Sequence, residues 1–269
     1  MNILITGVGS GFGKELLKKL YKNHNLFALT KSKLNLKKIK KNFPKVNCYI
    51  CDISSEKSVI KLKKKIKKKT NLLDVLINNA GIYGEINPFY KSNFKDWKKA
   101  FETNFFGTYL MCRYFVGFLN KSKIKKIINI AGGGAFNPFP NFTSYACSKA
   151  ALVRFTETIA EELKKFNIKV NCLAPGFIKT SMHNKTLRAG ANKAGKKFYL
   201  FTKKKLNKGY VPIDKPIKCV EFLISNKSKN LTGKTISASF DKWDTKKYQK
   251  NINQINKSDL FTLRRINPK

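Results

Sequence analysis

The feature that most restricts this chain is a run of glycines set between a strand and a helix. Residues 2–6 are β-rich, and Thr6-Gly7-Val8-Gly9-Ser10-Gly11-Phe12-Gly13 follows at once. Residues 11–21 then show helical spacing, with Phe12, Leu16, Leu17 and Leu20 on one side. Glycine is needed where φ is positive and where main chain must approach a pyrophosphate. The free N–H groups and positive dipole end of a helix start stabilise phosphate charge. A glycine string alone is a common turn, but the strand–turn–helix context makes this one a dinucleotide fingerprint. Gly7, Gly9, Ser10, Gly11, Phe12 and Gly13 are the expected cofactor contacts.

The alternation continues along the chain. Strands are expected at 26–30, 46–51, 73–78, 124–130, 168–173 and 235–239, and helices at 34–41, 55–69, 96–119, 143–166 and 212–225. Strands alternating with helices mean a parallel sheet covered on both faces, wound by right-handed crossovers. The expected fold is α/β: a single doubly wound Rossmann-type domain with a central parallel sheet of about seven strands. Residues 1–240 form that domain, with a long, polar, glycine-containing stretch at 177–210 that suits a lid. Residues 241–269 form a tail rich in Lys and Asn.

The end of the second strand selects the dinucleotide. A carboxylate there would bind the ribose hydroxyls of NAD. This chain has Thr30-Lys31-Ser32-Lys33 instead, and a cation such as Lys31 suits a 2′-phosphate. NADP(H) is therefore preferred, with NAD(H) possible. Asp52, after the third strand and beside Ile53, is the expected acceptor near an adenine amino group; it also fits a turn residue at a helix start beside Ser54.

Tyr145 and Lys149 stand four residues apart at the start of a long helical pattern, so they share one face. Tyrosine, with an ordinary pKa of about 10, is a poor base at neutral pH. A neighbouring ammonium favours the phenolate and makes the pair able to exchange a proton with a carbonyl or alcohol oxygen. In so lysine-rich a chain the spacing alone means little. Its weight comes from its place after the fifth strand, the glycine fingerprint and Asn78-Asn79-Ala80-Gly81.

With these motifs in view, residues 1–240 resemble a short-chain dehydrogenase/reductase of the roughly 250-residue type. The matching segments are TGVGSGFG, CDIS at 51–54, NNAG at 78–81, TNFFGTY around Asn104, Tyr145 with Lys149, and APGFIKT at 174–180. The resemblance implies an NADP(H)-dependent oxidoreductase interconverting a carbonyl and a secondary alcohol, with Tyr145 as general acid/base. It implies that Asn79, Ala80 and Gly81 flank the adenosine ribose, and that Lys149 also binds the nicotinamide ribose. Asn104 would hold a water linking Lys149 to solvent, unless it only kinks its helix. Pro175, Gly176, Ile178 and Thr180 would position the carboxamide, although Thr180 also fits a helix N-cap. A small-molecule carbonyl or alcohol partner and a homodimer or homotetramer, paired through the helices at 96–119 and 143–166, follow in the same way.

One departure is serious. The family carries a serine 13 residues before the tyrosine, and that position here is Gly132, within Ala131-Gly132-Gly133-Gly134-Ala135. No hydroxyl lies between Asn129 and Phe142. Losing one preorganised donor costs about 3–4 kcal/mol, or two to three decades of rate. The main chain of the glycine run or the substrate could supply the donor; Thr143, Ser144 or Ser181 could supply it from another direction; or the chain is a non-catalytic dinucleotide-binding or scaffolding relative. Retention of Tyr145, Lys149 and Asn104 favours an enzyme.

Composition adds two constraints. Lys and Arg total 56 against 15 Asp and Glu, a net charge of +41, which raises nucleic acid as a partner. The lysines are spread over the whole chain, as on 61–69 around the apolar stripe Val59, Leu62 and Ile66, so a solvated face and a coding bias explain them better than specific recognition. Six scattered cysteines include Cys48 and Cys51, but these lie in a strand, where residues three apart face opposite ways; reduced thiols are expected, with no metal. No run of about 18 apolar residues spans a membrane, and the expected location is cytoplasmic. Finally, Asp241-Lys242-Trp243-Asp244, the ending Leu263-Arg264-Arg265-Ile266 and the glycine turn are similar to a subset of the family that modifies sugars, implying a sugar-derived substrate.

Overall fold

A computed structural model describes residues 1–265; Ile266 and the three residues after it lie outside. Seven strands form one sheet: β1 (Asn2–Thr6), β2 (Asn25–Thr30), β3 (Asn47–Ile50), β4 (Val75–Asn78), β5 (Lys126–Ile130), β6 (Lys169–Ala174) and β7 (Thr235–Ser237). Their order is β3-β2-β1-β4-β5-β6-β7, and every pairing is parallel. The chain begins in the middle, winds to one edge, then returns and winds to the other. The order reverses between β1 and β4, where open sheets of this kind bind ligands outside the carboxyl ends of the strands.

The central strands read as unbroken apolar runs because both faces are covered. Ile3 and Ile5 of β1 join one core cluster with Leu16 and Leu20 of α1 (Gly11–Leu20) and Val220 of α9 (Asp214–Ile224). Leu4, pointing the other way, joins a second cluster with Leu62 of α3 (Glu56–Lys67) and Phe115 of α5 (Gly107–Leu119). Cys48 packs against the first cluster and Cys51 lies within the second, so the pair straddles the sheet as the strand reading requires.

The helix expected over 96–119 is in fact two helices, α4 (Phe94–Phe101) and α5, joined by a π turn at Glu102–Phe106. Residues 177–210 hold α7 (Ser181–Ala194) and α8 (Lys196–Asn207), with glycine breaks at Gly190 (φ 76°) and Gly195 (φ 81°). Beyond β7, Trp243 on the connecting segment, Tyr248 of α10 (Lys246–Lys250) and Ile252 and Ile255 of α11 (Ile252–Lys257) pack onto the first core cluster. The remaining helices are α2 (Lys33–Asn42) and α6 (Thr143–Glu162). Among the described residues no helix is long and apolar enough to cross a membrane.

Candidate active site

The glycine turn is held by main-chain packing. Gly7 has φ 72°, and a Cβ there would sit 2.7 Å from Ala80 Cα. A Cβ on Gly13 would overlap Gly7 O and the Asn79 amide. Polar bonds then lock the two turns together: Thr6 Oγ1 accepts from Asn79 N (3.0 Å) and Ala80 N (2.9 Å), and Asn79 Nδ2 donates to Thr6 O (2.9 Å). Thr6 is the hub of this junction, a role that its place at a strand end did not announce.

The start of α1 carries no side-chain cap at Ser10 and no acidic residue in its first turn. Ser32, Ser55 and Asn93 cap α2, α3 and α4, whereas α6 to α9 share the uncapped start of α1, so the glycine turn and not the bare start sets α1 apart. An uncapped helix start leaves N–H donors for an anion, and this fits the pyrophosphate of a dinucleotide. Thr180 lies beside the turn, its Cγ2 3.4 Å from where a Gly11 Cβ would stand, and takes the N-cap position of α7. Phe12 and Ile178 are buried in the core cluster, so only their main chain faces this cleft. Gly176 needs its φ of 81°, while its neighbour Pro175 ends the exit from β6.

At the end of β2, Lys31 Nζ lies 2.6 Å from Asp52 Oδ2. Burial raises the Asp52 carboxyl's pKa, but hydrogen bonds from Lys31 and Ser54 outweigh that and hold it below the usual value. Asp52 Oδ1 also accepts from Ser54 N (3.1 Å), the turn geometry expected at a helix start. Ile53 is buried, and a Cβ on Gly107 would meet it at 2.8 Å, so it braces the first residue of α5.

Tyr145, Lys149, Asn104 and Gly81 converge. Lys149 Nζ sits 5.8 Å from the Tyr145 ring centroid and donates to Ile130 O (2.6 Å) at the end of β5. A Cβ on Gly81 would stand 3.3 Å from Asn104 Oδ1 and 3.5 Å from Lys149 Nζ. Asn104 lies in the π turn and is fully buried. Its Oδ1 accepts from Ile82 N (2.8 Å), and its Nδ2 donates to Ile82 O (2.9 Å) and Ser148 Oγ (2.9 Å). The side chain therefore ties the loop after β4 to α6, and the kinked backbone delivers it there. Burial drives the Tyr145 phenol's pKa well above its ordinary value. Burial also lowers the Lys149 ammonium to about 8.

The glycine in the serine's place touches this pair directly. A Cβ on Gly132 would overlap the Tyr145 hydroxyl. The phenol thus occupies the space a serine side chain would need. Thr143 and Ser144, two of the candidate substitutes, both face Trp97: Thr143 Oγ1 accepts from its Nε1 (2.9 Å), and Ser144 Oγ donates to its main-chain oxygen. Ser181 opens α7 on the lid, away from α6 in sequence and exposed.

Aromatic side chains pack around Tyr145 on the side of the lid. Tyr83 lies edge-on to Tyr145 with centroids 4.9 Å apart, and Phe139 stacks on Phe142 at 4.3 Å. The Tyr83 hydroxyl shares a 3.1 Å hydrogen bond with His183 Nδ1 on α7. Burial lowers His183 to about 4, so it is neutral near pH 7. A lone histidine in a polar stretch carries no sequence signal, which is why it was not anticipated.

Comparison with known proteins agrees with this geometry. The profile of the short chain dehydrogenases matches residues 1–190. A 3-oxoacyl-[acyl-carrier-protein] reductase from Thermotoga maritima is 32% identical over 187 residues, 68% of this chain and 76% of its own length. One from Chlamydia pneumoniae is 37% identical over 131 residues, 49% of this chain, and the match spans only 52% of that relative. The structure of 4-hydroxyisoleucine dehydrogenase complexed with NADH superposes with a TM-score of 0.76 at 28% identity, covering 88% of this chain and 96% of that one. A buried Tyr/Lys pair beside a glycine fingerprint, on this sheet order and with these relatives, means that the chain belongs to the short-chain dehydrogenase/reductase family, whose members are NAD(P)-dependent oxidoreductases.

Proposed function

We propose that the chain interconverts a carbonyl and a secondary alcohol with NADP(H), with Tyr145 as general acid/base. The observation that carries this reading is the burial of Tyr145 and Lys149 together, against Gly81 and Asn104, at the carboxyl edge of the sheet. The glycine turn, Asn79, Ala80, Lys149 and the 175–180 segment would hold the dinucleotide, which would supply or accept the hydride when bound. Tyr145 passes its proton to the substrate oxygen in reduction and recovers it in oxidation. Burial raises the phenol pKa, so Tyr145 enters a reduction in its protonated form. Lys149, near 8, is largely charged at neutral pH and stabilises the phenolate left behind. Asn104 positions the loop at Ile82 and, through the π turn, the water path to Lys149.

The missing serine is replaced by main chain in this reading. The Gly132–Ala135 turn abuts the phenol, closed by Ala135 N donating to Gly132 O (3.3 Å), and the hydroxyls of Thr143 and Ser144 are engaged elsewhere. NADP(H) is preferred over NAD(H) because β2 ends in Thr30-Lys31-Ser32-Lys33 without a carboxylate. The walls of Tyr83, Phe139, Phe142 and Phe198 support a substrate with an apolar body. The sugar-derived substrate implied by Asp241-Lys242-Trp243-Asp244 has less support, since Trp243 packs on Phe222 in the core. A homodimer or homotetramer would use the segments at 96–119 and 143–166, where Phe106 of the π turn and Tyr109 of α5 remain exposed.

Purified protein with NADPH and a panel of carbonyls should turn over, and Tyr145→Phe should lower kcat by at least about a thousandfold while NADPH still binds. Equal rates would discard the role of Tyr145. The second reading, a non-catalytic dinucleotide binder, draws on Gly132; it predicts NADP(H) binding by calorimetry with no turnover of any carbonyl.

A further inference from the structure

The lid combines a run of cations, which other stretches of the chain share, with exposed aromatic side chains. Residues 177–210 carry nine lysines and Arg188, with no Asp or Glu. On α8, Thr202 is buried, while Leu200 and Phe201 are 52% and 43% exposed between Lys196, Lys197, Lys203 and Lys204. Phe89, Tyr90, Phe136 and Tyr210 are also exposed, and all lie on segments that leave the carboxyl ends of β4, β5 and β6. Large apolar side chains are usually scattered singly over a soluble surface. Among the described residues six of the fourteen exposed ones stand on these segments at the carboxyl end of the sheet, and those of the lid are interleaved with cations that no acidic residue of the lid offsets.

This surface runs into the site through ring contacts. Phe201 meets Phe177 at 5.6 Å; Phe177 stacks on His183 at 3.8 Å; His183 bonds Tyr83, which lies against Tyr145. A second path leads from Phe201 through Phe198 to Phe142. Every side chain on both paths is apolar or a phenol except His183, which is neutral.

We propose that the lid face of α8 docks on an anionic phospholipid bilayer, and that the aromatic passage behind it receives an apolar carbonyl substrate from the lipid phase. Lysines interleaved with phenylalanine, leucine and tyrosine suit a membrane interface, where the rings enter the headgroup layer and the ammonium groups reach the phosphates. The apolar side chains stand on α8 and on three separate connections. A soft, planar medium accepts all of them at once, whereas a folded acidic protein would need a matching groove for each. Nucleic acid would use the cations but leave Leu200 without a partner. The use of the passage rests on Tyr145 being the reacting group, but docking is read without turnover, so the two readings fail separately.

The test is flotation of the full chain with vesicles of phosphatidylglycerol in phosphatidylcholine, against phosphatidylcholine alone, at physiological salt. Anionic vesicles should bind at least about tenfold more strongly. The double variant Leu200→Ser/Phe201→Ser, which removes two half-exposed apolar groups together with the contacts of Phe201 to Phe177 and Phe198, should lower that binding about tenfold while circular dichroism shows the fold kept. Lys203→Glu/Lys204→Glu should do the same. Reversing Lys61, Lys64 and Lys65 on α3, equally exposed but far along the chain from the lid, should change it by less than about twofold. Equal loss from the α3 reversal overturns the proposal, because it shows attraction by total charge. So does full binding by the Leu200/Phe201 variant, which shows that the lysines alone hold the vesicle and that no ring enters it. Absence of any preference for anionic vesicles overturns it outright.

Discussion

The two sides of the site are built on different principles. On the side proposed for the cofactor, Gly7, Gly13 and Ala80 touch backbone to backbone, and Thr6 and Asn79 fasten the contact with hydrogen bonds. On the substrate side, Tyr83, Phe139, Phe142, Phe198 and Phe201 meet ring to ring, with one hydrogen bond between Tyr83 and His183. Main-chain contact admits no change of volume, since a backbone atom cannot rotate away. Ring contacts are looser and can re-form around a guest. The first kind suits a ligand that is the same in every turnover, and the second suits entry and exit of another.

The cofactor side should therefore break most sharply. Gly13→Ala places a methyl on Gly7 O and Asn79, and should cost about 3 kcal/mol of stability, seen as a lower thermal midpoint, with NADPH binding weakened at least about tenfold. Gly117→Ala is the matched control. It lies in α5 with nothing within 4 Å of the added carbon, and should stabilise by about 0.5–1 kcal/mol. Comparable losses in both would mean that the tight junction has no special role.

This contrast also explains what could be read from the sequence. The fingerprint, the seven strands and the Tyr145/Lys149 pair were legible because each is a local pattern: apolar runs of a strand's length, glycines at a strand–helix junction, two residues one helical turn apart. The break in the helix at Glu102–Phe106 was not. A π turn is selected by what its residues meet, here the bonds of Asn104 to Ile82 and Ser148, and those partners come from other elements. The buried faces of Ile252 and Ile255 were hidden in the same way, since Lys and Asn around them mask a spacing of only two apolar residues. His183 needed the lid to fold over Tyr83 before it meant anything.

Lys149 joins the two sides and should show it in pH dependence. Its pKa falls from 10.5 unfolded to about 8 folded, through burial. The unfolded chain then holds more protons between about pH 8 and 10.5, so stability from this group rises with pH across that window and its cost is fully present below pH 8. Lys149→Met should accordingly be more stable relative to wild type at pH 7 than at pH 10, by of order 2 kcal/mol. Comparing variant with wild type at each pH cancels Lys126, which burial lowers to about 8 as well. A difference that stays flat with pH would place a charged, solvated Lys149 outside the site.

Gly132 tests whether the phenol has taken the serine's space. Gly132→Ser puts a side chain where the Tyr145 hydroxyl already lies, so kcat should fall at least about tenfold. Gly133→Ala meets only Phe139, at 3.7 Å, an ordinary contact, and should leave kcat within about twofold. A rise in kcat for Gly132→Ser would mean that Tyr145 yields readily and that the catalytic arrangement still wants a hydroxyl there.

The smallest effect belongs to the single polar tie on the substrate side. Tyr83→Phe keeps the ring against Tyr145 and removes only the hydroxyl that meets His183 Nδ1. One hydrogen bond between neutral groups is worth about 1 kcal/mol. Global stability should therefore change little, because the Phe177 stack on His183 and the contacts of Phe198 still hold the lid. The loss should be local: amide exchange in α7 should quicken about fivefold while that in β1 and β4 stays the same. If the lid is the loose half of the site, KM should move more than kcat. If exchange in β1 quickens equally, the two sides form one rigid unit and the contrast between them fails.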